Sequence, residues 1–217
     1  MSYKADFHTH SVASPDGSLG LEHYRRMLQK GGLDFIAVTD HNTVDMAKQI
    51  QAKLGERIIV GEEITTQQGE IIGLYLHQTI PPLLTALETV EAIQKQGGLV
   101  YIPHPFETVR KGISIETLQG IAKNVDIIEV HNGRAIFQNF TAKALDWAGE
   151  HGIPGAASSD AHGFSGWGRT YTVLGQAPTR QNLLTLLKKA THKRAFPGIY
   201  GMLYPKINRM QKRRKNV

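Results

Sequence analysis

Residues 34–65 read DFIAVTDHNTVDMAKQIQAKLGERIIVGEEIT. The apolar run DFIAVTDH ends on Thr39, Asp40 and His41 and reads as a buried strand. From Thr43 to Gly55, TVDMAKQIQAKLG follows helical spacing, with Thr43 as the N-cap and Gly55 as the terminator. RIIVGEEIT is a second apolar strand. Two strands joined by a helix pair in parallel, so this stretch predicts an α/β fold.

The same alternation extends outward. ADFHTH precedes it as a first short strand, and GEIIGLYLH follows after the polar turn TTQQG. PPLLTALETVEAIQKQGG reads as a helix with Pro at its start and Gly97–Gly98 at its end. Then come the strand LVYIPHP, the helix SIETLQGIAK, the strand VDIIEVHN and a helix from about Phe137 to Gly149. GIPGAASSDAH, the strand TYTVLG and a helix capped by Thr179 complete the pattern. Seven or eight strands in 217 residues fit a barrel better than an open sheet. In both architectures chemistry gathers at the carboxyl ends of the strands.

Composition narrows the chemistry. The chain has no cysteine, which excludes disulfides, thiolate nucleophiles and Cys-based zinc sites. Any metal is therefore held by His, Asp and Glu. No apolar stretch approaches a signal-peptide core or a membrane span, so a soluble cytoplasmic protein is expected, with no membrane partner. Of 25 basic residues, six fall in Lys206–Val217, which has no acid; the rest of the chain balances its 19 acids. The division expected is one domain over 1–205 and a basic tail over 206–217. Such a tail either solubilises the chain or binds RNA, DNA or another acidic surface.

The histidines cluster by position. His8 and His10 lie one residue apart on the first strand and so share a face. His41 ends AVTDH, His104 ends VYIPHP, and His162 stands in AASSDAH just past another strand. Glu62, Glu63, Glu70, Glu129 and Asp160 occupy similar places. Residues at successive strand ends converge on one rim, which points to a metal centre. His77 also ends an apolar run, while His23, His151 and His192 read as solvated or helix-end residues.

The ordered set DFHTH, SPDGSL, VTDHNT, VGEEIT, YIPHPF, IIEVHNGR and SSDAHG resembles the polymerase and histidinol phosphatase (PHP) family of phosphoesterases. That resemblance implies a distorted (β/α)7 barrel with a metal site at the carboxyl ends of its strands. It implies two or three divalent ions, commonly manganese, zinc or iron, and hydrolysis of phosphoesters. By family pattern His8, His10, Glu63 and Asp160 would hold one ion. Glu63 would bridge to a second held also by His104, and Asp16, His41 and His162 would hold the third. Many relatives place a His on the next strand, where this chain aligns Glu70. A carboxylate there shifts preference toward harder ions such as manganese.

Asp160, Glu63 and His104 are the residues expected to carry catalysis. Arg134, Arg110 and Arg169 offer forked donors for phosphate. Glu129 and His131, two apart on one strand face, complete the expected substrate contacts. The expected substrate class is a phosphorylated small molecule or nucleotide. The alternatives are a 5′-end exonuclease using the basic tail on nucleic acid and a non-catalytic metal-binding accessory module. An amidohydrolase shares the His-x-His strand, but its bridging carboxylated lysine has no evident candidate.

Overall fold

The structure, a computed structural model, describes residues 2–30, 32–135 and 138–215. In chain order it comprises β1 (Tyr3–Asp6), α1 (Leu21–Gln29), β2 (Phe35–His41), α2 (Asp45–Leu54), β3 (Ile58–Thr66) and β4 (Gly69–Leu74). It continues with α3 (Ala86–Lys95), β5 (Leu99–Ile102), α4 (Ile115–Ile121), β6 (Ile127–Asn132), α5 (Thr141–His151) and β7 (Gly155–Ser158). Last come β8 (Tyr171–Leu174), α6 (Leu183–Leu187), β9 (Thr191–Lys193) and α7 (Gly198–Lys215).

The strands form one sheet in the order β7-β6-β5-β4-β3-β2-β1-β8-β9. It curls into a nearly closed, distorted α/β barrel, as the alternating pattern predicts. β1, β2 and β3 pair in parallel, as do β5, β6 and β7. β4 runs antiparallel to both neighbours, and β8 runs antiparallel to β1. The reversal of β4 follows from the short turn Gln67–Gln68, which leaves no chain for a crossover helix.

Alternation along each strand makes two cores. Phe35 and Ala37 face the barrel interior with Phe7, Ile59, Ile72, Tyr101 and Ile127. Ile36 and Val38 face outward into the layer made with Ile50, Val90, Leu118 and Trp147 from the helices. Leu183 and Leu187 of the five-residue α6 join the interior cluster, closing the end of the barrel opposite the strands' carboxyl rim.

Helix starts differ from the sequence reading at three places. α2 begins at Asp45, and Thr43 Oγ1 instead accepts from the Asp45 N–H. α3 begins at Ala86 rather than at the prolines, because Thr85 and Glu88 form a reciprocal capping box there. α6 covers only Leu183–Leu187, with Thr179 Oγ1 accepting from Asn182 N–H one turn ahead of it. The helix read from Phe137 starts outside the described residues; the observed α5 spans Thr141–His151.

The seam between β7 and β1 is closed by side chains. Buried Asp6 accepts from Ser159 N–H at 2.9 Å, Ser159 Oγ–H at 2.5 Å and Trp167 Nε1–H at 3.0 Å. Burial pushes the Asp6 carboxyl up to about 6, against the pull of these donors. Ser158 Oγ accepts from Phe7 N–H at 3.3 Å just below. Asp6→Ala would leave these donors facing a void, and the expected cost is about 3 kcal/mol. Urea unfolding of the purified variant measures it; a loss under about 1 kcal/mol would show that the seam holds without the carboxylate.

Candidate metal centre

Past Asp6 the chain stays extended to His10, whose N–H donates to Ala161 O at 2.9 Å. Thr9 turns the other way, its hydroxyl donating to Ala37 O at 2.6 Å, so His8 and His10 face inward together. Their Nε2 atoms lie 3.1 Å apart. His41 and Glu63 are register partners on β2 and β3 and point to the same side, with His41 Nδ1 3.2 Å from Glu63 Oε2. Glu62 faces the opposite side, where Ile80 N–H donates to it at 2.9 Å, and burial lifts its carboxyl to about 7.

Because β4 is reversed, its first residues reach the rim. Glu70 thus comes within 4.0 Å of His41 Nδ1 and 3.8 Å of His104 Nε2. For the same reason His77 lies at the opposite end, its N–H bound to Gln96. His104 and Asp160 hold left-handed backbone, with φ of 29° and 53°. Such a conformation in a non-glycine residue costs of order 1 kcal/mol and is kept where the surroundings dictate it. Asp16 comes from the tight loop SPDGS. A methyl group on Gly17 would stand 2.0 Å from Ser11 O, so the turn that presents Asp16 admits only glycine there.

The ligand atoms converge. Four overlapping sets each bring one donor atom per residue within 4.8 Å of one another. They are His10–Asp16–His41–His162, His8–His10–Glu63, His8–His104–Asp160 and His41–Glu63–Glu70. Outer partners fix the imidazoles: Glu129 Oε1 lies 3.2 Å from His8 Nδ1, Ser14 Oγ 3.1 Å from His10 Nδ1, and Asp160 O 2.9 Å from His162 Nδ1. Each leaves Nε2 turned inward. A cavity of about 810 Å³ opens above the cluster, bounded on the far side by α7.

Charge is unbalanced here. Burial would depress His10, yet Asp160 and Glu63 push it up to about 9. Burial likewise opposes charge on His8, which rises under Glu63, Asp160 and Glu129. Glu63 and Asp160 fall well below the usual carboxylate range despite their burial, Glu63 beside His8 and His41, Asp160 beside Arg134 and His8. Glu70 moves the other way: burial and the Glu63 charge lift it to about 9. His162 drops to about 3 through burial and the charges of His10 and Arg134.

Comparison with known proteins bears on the fold that carries this cluster. A family described as PHP-associated matches residues 139–191. An uncharacterized protein of Methanocaldococcus jannaschii is 33% identical over 149 residues, covering 63% of this chain and 87% of its own. A two-domain Bacteroides vulgatus protein, described as containing a predicted PHP-like metal-dependent phosphoesterase, superposes with a TM-score of 0.71 at 21% identity. That match covers 96% of this chain and 70% of the other. This chain belongs to the PHP family. The lesion-specific endonuclease PfuEndoQ of Pyrococcus furiosus shares the fold, with a TM-score of 0.66 at 17% identity over 89% of this chain and 57% of its own.

Within this PHP barrel, all nine residues read as ligands stand in the cluster: His8, His10, Asp16, His41, Glu63, Glu70, His104, Asp160 and His162. The expected substrate contacts divide. Arg110 Nη1 lies 2.6 Å and Arg134 Nη1 3.2 Å from Asp160 Oδ2, and both arginines line the cavity. Glu129 does not line this cavity. It is buried under His8, accepting from Tyr101 Oη–H, His104 N–H and Asn132 Nδ2–H. His131 is absent from the cluster because a bulge between Glu129 and His131 breaks the alternation of β6. Its ring packs edge-on against His192 instead. Arg169 donates to Phe196 O at 3.0 Å, away from the cavity lining.

Residues that the sequence reading passed over support the cluster. Asp40, beside His41 in the sequence, accepts from Ser11 N–H, Ser11 Oγ–H and Ser14 Oγ–H at 2.5–2.7 Å and so sets the Asp16 loop. Glu107 grips Arg110 through both oxygens. Their signal was adjacency to the motifs, which alone does not separate them from other loop residues.

The donor set fits divalent ions. Buried Asp16 Oδ1 has no hydrogen-bond partner among the described residues, and the cluster's nitrogen and oxygen donors suit manganese, zinc or iron. Without a metal, protons are the cations this cluster gathers. Neighbouring carboxylates favour the proton on His8 and His10, and burial beside Glu63 favours it on Glu70, so ligation at these groups expels protons. With His10 and Glu70 both pushed up to about 9, lowering the pH favours the proton and raising it toward 9 should tighten metal binding. Calorimetry of manganese binding in buffers of different ionisation enthalpy should therefore give buffer-dependent heats; identical heats would rule out proton release.

Proposed function

We propose that this PHP-family chain is a metal-dependent hydrolase of phosphomonoesters, acting on a small phosphorylated metabolite or a nucleotide. The observation that carries the reading is the meeting of nine His, Asp and Glu side chains able to ligate with two arginines at Asp160, beneath one open cavity. In this reading His8, His10, Glu63 and Asp160 hold one ion, Glu63, Glu70 and His104 a second, and Asp16, His41 and His162 a third. The chemistry supplied by such ions is neutralisation of phosphate charge, an acidified water at neutral pH and stabilisation of the departing alkoxide.

The chain's own groups do the rest. Arg134, partly exposed to the cavity, turns its forked donors from Asp160 to the phosphate oxygens. Arg110 is held flat by Glu107, so its guanidinium fixes the orientation of Asp160. Glu63 and Asp160 stay ionised despite burial, which keeps their oxygens available as ligands.

Phosphate release from phosphomonoesters, nucleotides and 5′-phosphorylated oligonucleotides by metal-analysed protein tests the reading. Asp160→Asn keeps the size of the side chain and removes its charge. It should lower kcat by about 10- to 100-fold or more, with little change in folding by circular dichroism. Wild-type turnover by this variant at saturating metal would remove Asp160 from the reaction.

A second reading, exonuclease action at a 5′ end, is favoured by Lys206, Arg209 and Arg213, which line the cavity beside Arg110, Lys111 and Arg134. Under it, Lys206→Ala with Arg213→Ala should weaken oligonucleotide binding and flatten its salt slope by about two. An unchanged slope would leave the small-substrate reading. Full metal loading with no turnover on any of these substrates would favour an accessory module.

A further inference from the structure

The described part of the basic segment, residues 206–215, is not a free tail. It is the second half of α7, and α7 lies against the two loops that deliver Asp16 and His162. The seating is close: a methyl group on Gly163 would stand 2.5 Å from the Tyr204 ring. The matched PHP-associated region ends at residue 191, before this helix begins.

From that seat, three polar side chains, Asn208, Arg209 and Lys212, reach the outer corner of the metal cluster. Asn208 is buried, and its Nδ2 donates to Asp16 O at 2.7 Å and to His162 O at 3.0 Å. One amide thus spends both protons tying together backbone segments far apart in sequence. Arg209 Nη2 donates to Asp16 Oδ2 at 2.5 Å. Lys212 Nζ donates to Val12 O at 2.8 Å and Ser14 O at 2.5 Å on the same loop.

The consequence for Asp16 is specific. Arg209 takes one carboxylate oxygen and leaves the other, Oδ1, between His41 Nε2 at 3.5 Å and His162 Nε2 at 3.4 Å. Oδ1 is buried and has no hydrogen-bond donor among the described residues. A guanidinium behind a carboxylate fixes its rotation, as outer partners of metal ligands do.

We infer that Asn208 and Arg209 are positioning residues for the outer metal site, so that occupancy of that one site depends on α7. The inference rests on the metal reading of the cluster and adds to it an element far from the ligand motifs. Removing residues 206–217 would therefore strip Asn208 and Arg209 from behind Asp16 and impair the metal centre as well as any grip on nucleic acid.

The test uses the full chain, stripped of metal and titrated with manganese(II) alone. Wild type, Asn208→Ala, Arg209→Gln and the exposed control Arg214→Ala are compared. Elemental analysis after desalting gives stoichiometry, and calorimetry gives the affinity of each class of site. Arg209→Gln and Asn208→Ala are expected to lose one ion per chain, or to bind one class 10- to 100-fold more weakly, with the remaining ions unaffected. Arg214→Ala should match wild type. Should Asn208→Ala fail to fold, Arg209→Gln, whose side chain is over half exposed in the native protein, decides the matter. Wild type binding less than one ion would overturn the metal reading and this inference with it. Several ions in wild type, with full stoichiometry and affinity in the variants, would overturn this inference alone. An equal loss at every site would also overturn it, because the helix would then serve the whole fold.

Discussion

Buried Glu63 touches four imidazoles: His104 at 3.0 Å, His41 at 3.2 Å, and His8 and His10 at 3.3 Å. These come from the extension of β1, from β2 and from the loop after β5, so one carboxylate gathers a third of the barrel rim. No arrangement of protons on these five groups is comfortable in a dry interior. Each charge lost from water costs several kcal/mol before its partners offset it. The apolar barrel beneath, packed around Phe7, Ile59, Ile72 and Tyr101, supplies the stability that such a cluster consumes. The structure is best understood as an apolar barrel holding open a site whose natural complement is a cation.

Much of this was legible because strands impose strict rules on side-chain direction. His8 with His10 follows from alternation alone, whereas Glu63 in preference to Glu62 rested on the family pattern, and the β2–β3 register places Glu63 beside His41. The turn TTQQG was legible as a hairpin, and the reversed β4 it creates is what carries Glu70 to the rim. Alternation failed at His131 because one extra residue in β6 rotates the chain, and a bulge leaves no mark in residue types. Glu129 was misread for a related reason: its place on the strand was right, but burial depth is not a property of spacing.

The largest gap was α7. A run of Lys and Arg reads as solvated because nothing local gives it a partner, and the partners here lie almost two hundred residues earlier. Asn208 amid those charges is a small, unremarked amide, yet it is the buried one. Long-range hydrogen bonds from a polar segment have no periodicity to betray them. Helix boundaries suffered similarly: proline at 81 and 82 suggested a start, while the reciprocal Thr85–Glu88 pair set it.

The seam at Asp6 has a thermodynamic consequence. His8 and His10 stand on one side of it and Asp160 and His162 on the other, joined across Asp6, Ser159 and Ala161. Opening the barrel along that line separates the ligands without unfolding any strand. An ion bound across the seam therefore stabilises the closed form by mass action, in proportion to RT ln(1 + [ion]/Kd). Conversely, every fluctuation of the seam subtracts from apparent affinity. Metal occupancy and barrel closure are two measurements of one equilibrium.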